Sequence, residues 1–204
     1  MSERAITNVA ASVHHRLLAR AHASGADPSD TFLRYALERF LYRLSVSPHV
    51  SAFMLKGATL FAVWEEAPHR ATRDIDLLGF GEDSAEGLRD VFADVCRVST
   101  PDDGMTYDPA SVAVSDIRKG QAYQGKRVRL AARLGTARYT VQIDVGFGDA
   151  LEAWDTEITM PTLLDFPAPR LRGFLLEPWE ALVRGDAFTE EWPPGGPWQG
   201  MSDA

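Results

Sequence analysis

The chain has 204 residues, 45% hydrophobic and 25% charged, enough for one substantial core with a small appendage. Its formal net charge of -8 argues against a general nucleic-acid coat protein while leaving room for a locally basic groove. A single cysteine, Cys96, excludes an internal disulfide, and no stretch approaches the roughly 18 apolar residues of a spanning helix, so a soluble, cytoplasmic protein with no membrane partner is expected.

After a short polar start, Val9, Val13, Leu17 and Leu18 recur at helical spacing with Arg16 and Arg20 opposite, which predicts an amphipathic helix over about residues 7–23. Asp27-Pro28-Ser29-Asp30 is a helix-start signal. The helix it opens, about 29–45, is expected to bury Phe32, Leu33, Leu37, Phe40, Leu41 and Leu44 and to turn Arg34, Glu38, Arg39 and Arg43 to solvent. His14, His15, His49 and His69 share no metal-ligand spacing. From Phe53 to Leu78 the pattern reads strand, glycine turn, helix, strand. On the second strand Asp74 and Asp76 point to one face and Ile75 and Leu77 to the other. Two carboxylates side by side repel each other unless a cation or strong donor lies between them.

Gly79 and Gly81 mark a turn, and a helix burying Leu88, Val91, Phe92 and Val95 follows. In its helical setting Cys96 reads as a small buried apolar residue rather than a nucleophile. Residues Val98 to Asp108 read as a loop leading to a short strand near Val112–Val114. The period then changes to two. Val128, Leu130, Ala132 and Leu134 share one face, with Arg127, Arg129 and Arg133 on the other. Gly135-Thr136-Ala137 is a short connection, and Arg138–Val145 returns as the hairpin partner, with Asp144 on the polar face beside Thr140 and Gln142. Arg118, Lys119, Lys126, Arg127, Arg129, Arg133 and Arg138 form a basic run without an acid from 118 to 138. Two readings of it stand: a surface for a polyanionic acceptor such as RNA, or an edge strand guarded by cations. Beyond Ala150, Pro161, Pro167, Pro169 and Pro178 leave only short segments, a final helix near Glu177 to Arg184, and a loosely tethered WPPGGPWQGMSDA tail.

A carboxylate inside the apolar run Ile143-Asp144-Val145 needs a partner. If Asp144 joins Asp74 and Asp76, the three make an oxygen-only site suited to Mg²⁺ or Mn²⁺ with open positions for phosphate. Two such ions about 3.5–4 Å apart hold the attacking and leaving oxygens of an in-line phosphoryl displacement. Lys56-Gly57-Ala58-Thr59 offers a close-approach backbone at Gly57, a hydroxyl at Thr59 and, if a helix starts there, free N–H groups for phosphate. It is not a Walker A loop, because the second glycine and the terminal Gly-Lys-Ser/Thr are missing. Arg70, Thr72 and Arg73 stand just before the acids as further phosphate donors.

The order of these motifs resembles the polymerase-β-type nucleotidyltransferase superfamily, and more closely the AbiEii/AbiGii toxin family. The resembling stretches are ALERFLYRLSVSPHV, FMLKGATLF, HRATRDIDLLGFG, YQGKRVRLAARLG, VQIDVGFGDA and MPTLLDFPAPRLRGF, covering roughly the first 175 residues. The resemblance implies an α+β fold: a nucleotidyltransferase core with a mixed sheet over about 51–176, a helical segment over 1–50 and an atypical tail over 177–204. It implies a type IV toxin with a separately encoded antitoxin, an NTP as substrate, Mg²⁺ or Mn²⁺ as cofactor, and RNA, tRNA in characterised relatives, as acceptor. Gly57 and Thr59 match the family's nucleotide-phosphate motif, Asp74 and Asp76 its metal carboxylates, and Asp144 stands where the third carboxylate is expected. The family continues into a helix with an Ala-Glu-Lys motif and a helical half with a Lys-Asp-x-x-Asp-Leu type motif, where this chain reads LLEPWEALV and then the proline-glycine tail. A truncated or frame-disrupted member is the expectation that follows, and with it an alternative function as a catalytically silent nucleotide- or antitoxin-binding remnant. A metal-dependent phosphohydrolase is the weaker third reading, since the set of histidines usual in such sites is not near the acid motif.

Overall fold

Asn8 opens the first helix, α1 (Val9–Ser24): its side-chain carbonyl accepts the Ala11 N–H at 2.9 Å, and Gly25 closes it in the left-handed region at φ 67°. The description is of a computed structural model and covers residues 8–57, 73–81, 83–117, 125–147, 154–175, 190–191 and 199–200. Asp27 caps α2 (Pro28–Ser45) by accepting the Ser29 N–H at 2.7 Å, as the Asp-Pro-Ser-Asp signal predicts. Ser84 caps α3 (Ala85–Arg97) in the same way through the Gly87 N–H.

The strands are β1 (Phe53–Lys56), β2 (Ile75–Gly79), β3 (Met105–Tyr107), β4 (Ala113–Ile117), β5 (Gly125–Leu134), β6 (Ala137–Phe147), β7 (Trp154–Thr159) and β8 (Arg170–Leu175). They form one mixed sheet in the order β3-β5-β6-β2-β1-β8-β7, with β4 beside β3 on the outer side of β5. β2–β6 and β1–β8 are parallel, and the other pairings are antiparallel. The α+β class with a mixed sheet is therefore as expected. A separate two-residue pairing joins β9 (Glu190–Glu191) to β10 (Gln199–Gly200). The helices predicted between the glycine turn and Asp74 and near Glu177 to Arg184 lie outside the described residues, as does most of the tail.

Alternation decides the two faces of the sheet. Ile75, Leu77, Val128, Leu130, Val141, Ile143 and Val145 are all within 2% of full burial and pack with Leu17, Phe40, Leu44, Phe92 and Val95 of the helices. Apolar burial on this scale contributes about 25 cal/mol per Å². Asp74, Asp76, Gln142 and Asp144 occupy the opposite face, half-buried.

Three expectations need correction. The charged face of α2 is not solvated, since Glu38, Arg39 and Arg43 are all buried. The connection from β7 to β8 covers the first two: Glu38 accepts the Leu163 N–H at 2.7 Å, and Arg39 donates to the Pro167 carbonyl at 2.7 Å. Arg43 is covered by the segment before β3, where it meets Asp103. The stretch from Val98 to Asp108, expected as loop, contains β3, whose three residues are too few to show a period. The proline-rich stretch after residue 150 likewise supplies β7 and β8, which pair with each other, and β8 joins the rest of the sheet through β1, over a hundred residues away.

Burial raises the Glu38 carboxyl from its ordinary 4.5 to about 7, outweighing the Leu163 N–H and the Arg39 guanidinium, which both lower it. Between those values the folded protein holds a proton at Glu38 that the unfolded chain has released. The stability this group contributes is thus fully present below about pH 4.5 and is lost as pH rises through about 7, roughly 3 kcal/mol in all. Urea unfolding at pH 5 and pH 7.5 checks this: the decline in the unmodified protein should be absent from Glu38→Gln, and parallel profiles would refute it.

Candidate active site

β1 ends at Lys56, and Gly57 follows at φ 71°, a left-handed conformation open to glycine at little cost. A Cβ at Gly57 would lie 2.5 Å from Asp76 Oδ2 and 2.9 Å from Asp76 Cβ and Cγ. The glycine thus brings the turn against an acid, a closer approach than any side chain allows.

Four strands set one row across the sheet. Lys56 of β1 registers with Asp76 of β2, Asp76 with Asp144 of β6, and Asp144 with Arg127 of β5. Because cross-strand partners share a face, this row carries two carboxylates flanked by two cations. Arg127 grips Asp144 with both arms of its fork, Nε to Oδ1 at 2.8 Å and NH2 to Oδ2 at 2.6 Å. Its guanidinium is held more firmly protonated, first by that bond and further by the charges of Asp144, Asp74 and Asp76, against a smaller opposing effect of burial. Lys56 reaches over β6: its Nζ would be 2.6 Å from a Cβ at Gly146, so the glycine leaves the space that the ammonium takes.

A second row lies one step away. The Gln142 amide donates to Asp74 Oδ2 at 3.5 Å and accepts from Arg129 Nε at 3.1 Å. β5 therefore supplies one arginine to each row. Arg133 and Arg138 register with each other near the turn, exposed on the same face of the hairpin. Lys126 instead pairs with Asp116 of β4 at 2.7 Å. β5 is flanked on both sides, by β6 and by β3 and β4, which removes the reading of its cations as guards of an edge strand.

The sequence-derived site residues are thus partly assembled. Asp74, Asp76, Asp144, Lys56 and Gly57 meet on one face of the sheet. Arg73 is elsewhere: it is 72% exposed and pairs with Asp30 at the start of α2, at 3.0 Å. Thr59, Arg70 and Thr72 lie outside the described residues. Cys96 is held by burial at a pKa of about 12, in keeping with an unreactive thiol. The residue that the chain pattern did not single out is Arg127, grouped there with the basic run. Its signal was the hairpin: counting outward from a two-residue Gly135-Thr136 turn sets Arg127 opposite Asp144, whereas a three-residue connection sets it opposite Val145.

The donor chemistry of Asp74, immediately before β2, and Asp76, within it, fits a hard divalent cation such as Mg²⁺. Among the described residues no three His, Cys, Asp or Glu side chains stand together as a metal group, and both oxygens of Asp144 are on Arg127. No helix among the described residues is long and apolar enough to cross a membrane.

A family model described as nucleotidyl transferase AbiEii toxin, type IV TA system, matches residues 39–183, more than two thirds of the chain. No curated protein and no solved structure matches.

Proposed function

The chain belongs to the nucleotidyl transferase AbiEii toxin family of type IV toxin–antitoxin systems, and from that premise we propose that it moves a nucleotide from an NTP onto a hydroxyl of an RNA acceptor, tRNA, with pyrophosphate as the leaving group, using Mg²⁺ or Mn²⁺. Membership implies a nucleotide substrate and an antitoxin partner. The observation that carries the finer reading is the register of β2 on β6, which sets Asp76 beside Asp144 with Asp74 one step away and Gly57 against Asp76.

In this reading Asp74 and Asp76 hold the metal, which when bound polarises phosphate oxygens and orients the triphosphate. Gly57 admits the triphosphate close to the backbone, and Lys56 gives it a counter-charge on the same face. Asp144, once Arg127 yields its oxygens, would join Asp74 and Asp76 as the third metal ligand and help draw the proton from the attacking hydroxyl. Thr59 and Arg70 belong to the same proposal as phosphate donors, whereas Arg73 would first have to leave Asp30. Arg129, Arg133 and Arg138 run along the hairpin away from the acids, and this stripe supports a polyanionic acceptor that is positioned through its backbone. The cytoplasm, where tRNA and NTPs meet, is the setting proposed.

Incubation with each labelled NTP, Mg²⁺ and an RNA pool containing tRNA tests the reading. Label is expected in tRNA with Mg²⁺ and not with EDTA; its absence from RNA for every NTP would sink the transfer reading. The hold of Arg127 on Asp144 favours a second reading, a nucleotide- or antitoxin-binding protein without turnover. That reading predicts measurable NTP affinity and no product.

A further inference from the structure

Asp76 and Asp144 are neighbours on adjacent parallel strands, which run about 4.8 Å apart. Two ionised carboxylates so placed raise each other's energy unless positive charge lies among them. The protein supplies that charge itself. Arg127 engages both oxygens of Asp144, at 2.8 and 2.6 Å, and lies in the field of Asp74 and Asp76 as well. This two-point contact takes up the acid's inward-facing acceptor capacity.

The two partners are not equally free to move. Asp144 is 14% exposed on a strand whose neighbouring residues Ile143 and Val145 are fully buried, so its carboxylate stays where β6 puts it. Arg127 is 29% exposed and ends a long flexible stem. It can swing outward without any change in the sheet, whereas Asp144 left alone would be a half-buried charge without a partner.

We infer that Arg127 is the resident counter-cation of the acid centre, holding both oxygens of Asp144 and yielding them to a divalent cation only by displacement. The inference rests on the metal-dependent reading of the site proposed above. The affinity of Asp144 for metal is thus set by competition with a side chain. Arg127 acts as a positioning residue, keeping the Asp144 carboxylate aimed along the sheet face.

Titration of the full chain with Mn²⁺, followed by the electron paramagnetic resonance of the free ion and without nucleotide, tests this. Arg127→Gln is expected to bind Mn²⁺ roughly tenfold to a hundredfold more tightly than the unmodified protein, the scale of a competing charge-assisted hydrogen bond removed. Arg133→Gln makes the same charge change on the same strand face about 20 Å away, well beyond the Debye length of about 8 Å at 0.15 M salt. It should match the unmodified protein.

Equal or weaker binding by Arg127→Gln would overturn the inference, as would equal tightening in both variants. A second measurement uses the unmodified protein: the side-chain Nε–H signal of Arg127, assigned by its loss in Arg127→Lys, should shift on saturation with Mg²⁺. A signal that stays in place while Mg²⁺ binds overturns the inference even if Arg127→Gln fails to fold. Absence of metal binding in every protein would remove the metal-dependent reading together with the inference, whereas bound Mn²⁺ with equal affinities removes the inference alone.

Discussion

Asp76→Ala is expected to lower nucleotide transfer on the order of a thousandfold or more, because a metal ion's stabilisation of transferring phosphate is worth several kcal/mol and each 1.36 kcal/mol is about tenfold in rate. Asp76 stands at the centre of the cross-strand row and is also the acid that Gly57 touches. Its side chain lies on the face away from the helical core, so the unfolding free energy should change little, by roughly 0.5 kcal/mol. Gly57→Ala should reproduce much of the loss without removing any ligand. The new Cβ would sit 2.5 Å from Asp76 Oδ2 on a backbone at φ 71°, so the carboxylate or the turn must shift. A displacement near 1 Å at a reacting centre costs about a hundredfold. The readout is labelled RNA per unit time, with circular dichroism to confirm folding. Full transfer by Asp76→Ala would remove the acids from the chemistry; full transfer by Gly57→Ala beside a dead Asp76→Ala would separate the turn from it.

Arg43→Ala should be the most damaging change to stability, costing roughly 3–5 kcal/mol. Arg43 is 6% exposed and Asp103 2%, and the two meet at 2.8 and 3.0 Å in a two-point pair. Arg43 also donates to the carbonyls of Arg39 and Met105 and lies 4.7 Å from the Tyr107 ring centroid. Removing it leaves the Asp103 carboxylate buried, with the Met105 N–H donating to it at 3.0 Å and no guanidinium beside it. For a domain of this size each kcal/mol shifts the melting temperature by about 2–4 °C, so a fall of roughly 6–20 °C is expected in a thermal scan. A paired Arg43→Met, Asp103→Leu exchange should recover much of the loss, since an apolar pair needs no desolvated charge. A single substitution costing under about 1 kcal/mol would show that the pair is not buried in solution.

The pair also marks how far a linear pattern reaches. Arg43 falls on the polar side of the α2 helical period, and by spacing alone that side belongs to water. The period cannot register that a segment sixty residues later lies across it. Glu38 and Arg39 are hidden in the same way by the β7–β8 connection, well over a hundred residues on. At the candidate site Asp74 and Asp76 were legible because the alternation Asp-Ile-Asp-Leu is local and has one solution. Asp144 was legible because a carboxylate between Ile143 and Val145 demands a partner. Arg127 was not, although it lies on the correct face, because identifying it as the partner depended on one residue of loop length in the hairpin turn.

What the sequence determined by itself is therefore what short-range geometry controls: the caps of α1, α2 and α3, the buried and polar faces of β5 and β6, and the common face of Asp74 and Asp76. Tertiary structure alone decided that β5 is an interior strand, that β8 lies beside β1, that three of the five charged residues of α2 are interior, and that Arg127 rather than solvent meets Asp144. The physical reason is that side-chain direction repeats every two or 3.6 residues and can be read in a window of ten. Pairing between distant segments depends on loop length and register, and there a slip of one residue exchanges a charge for an apolar neighbour.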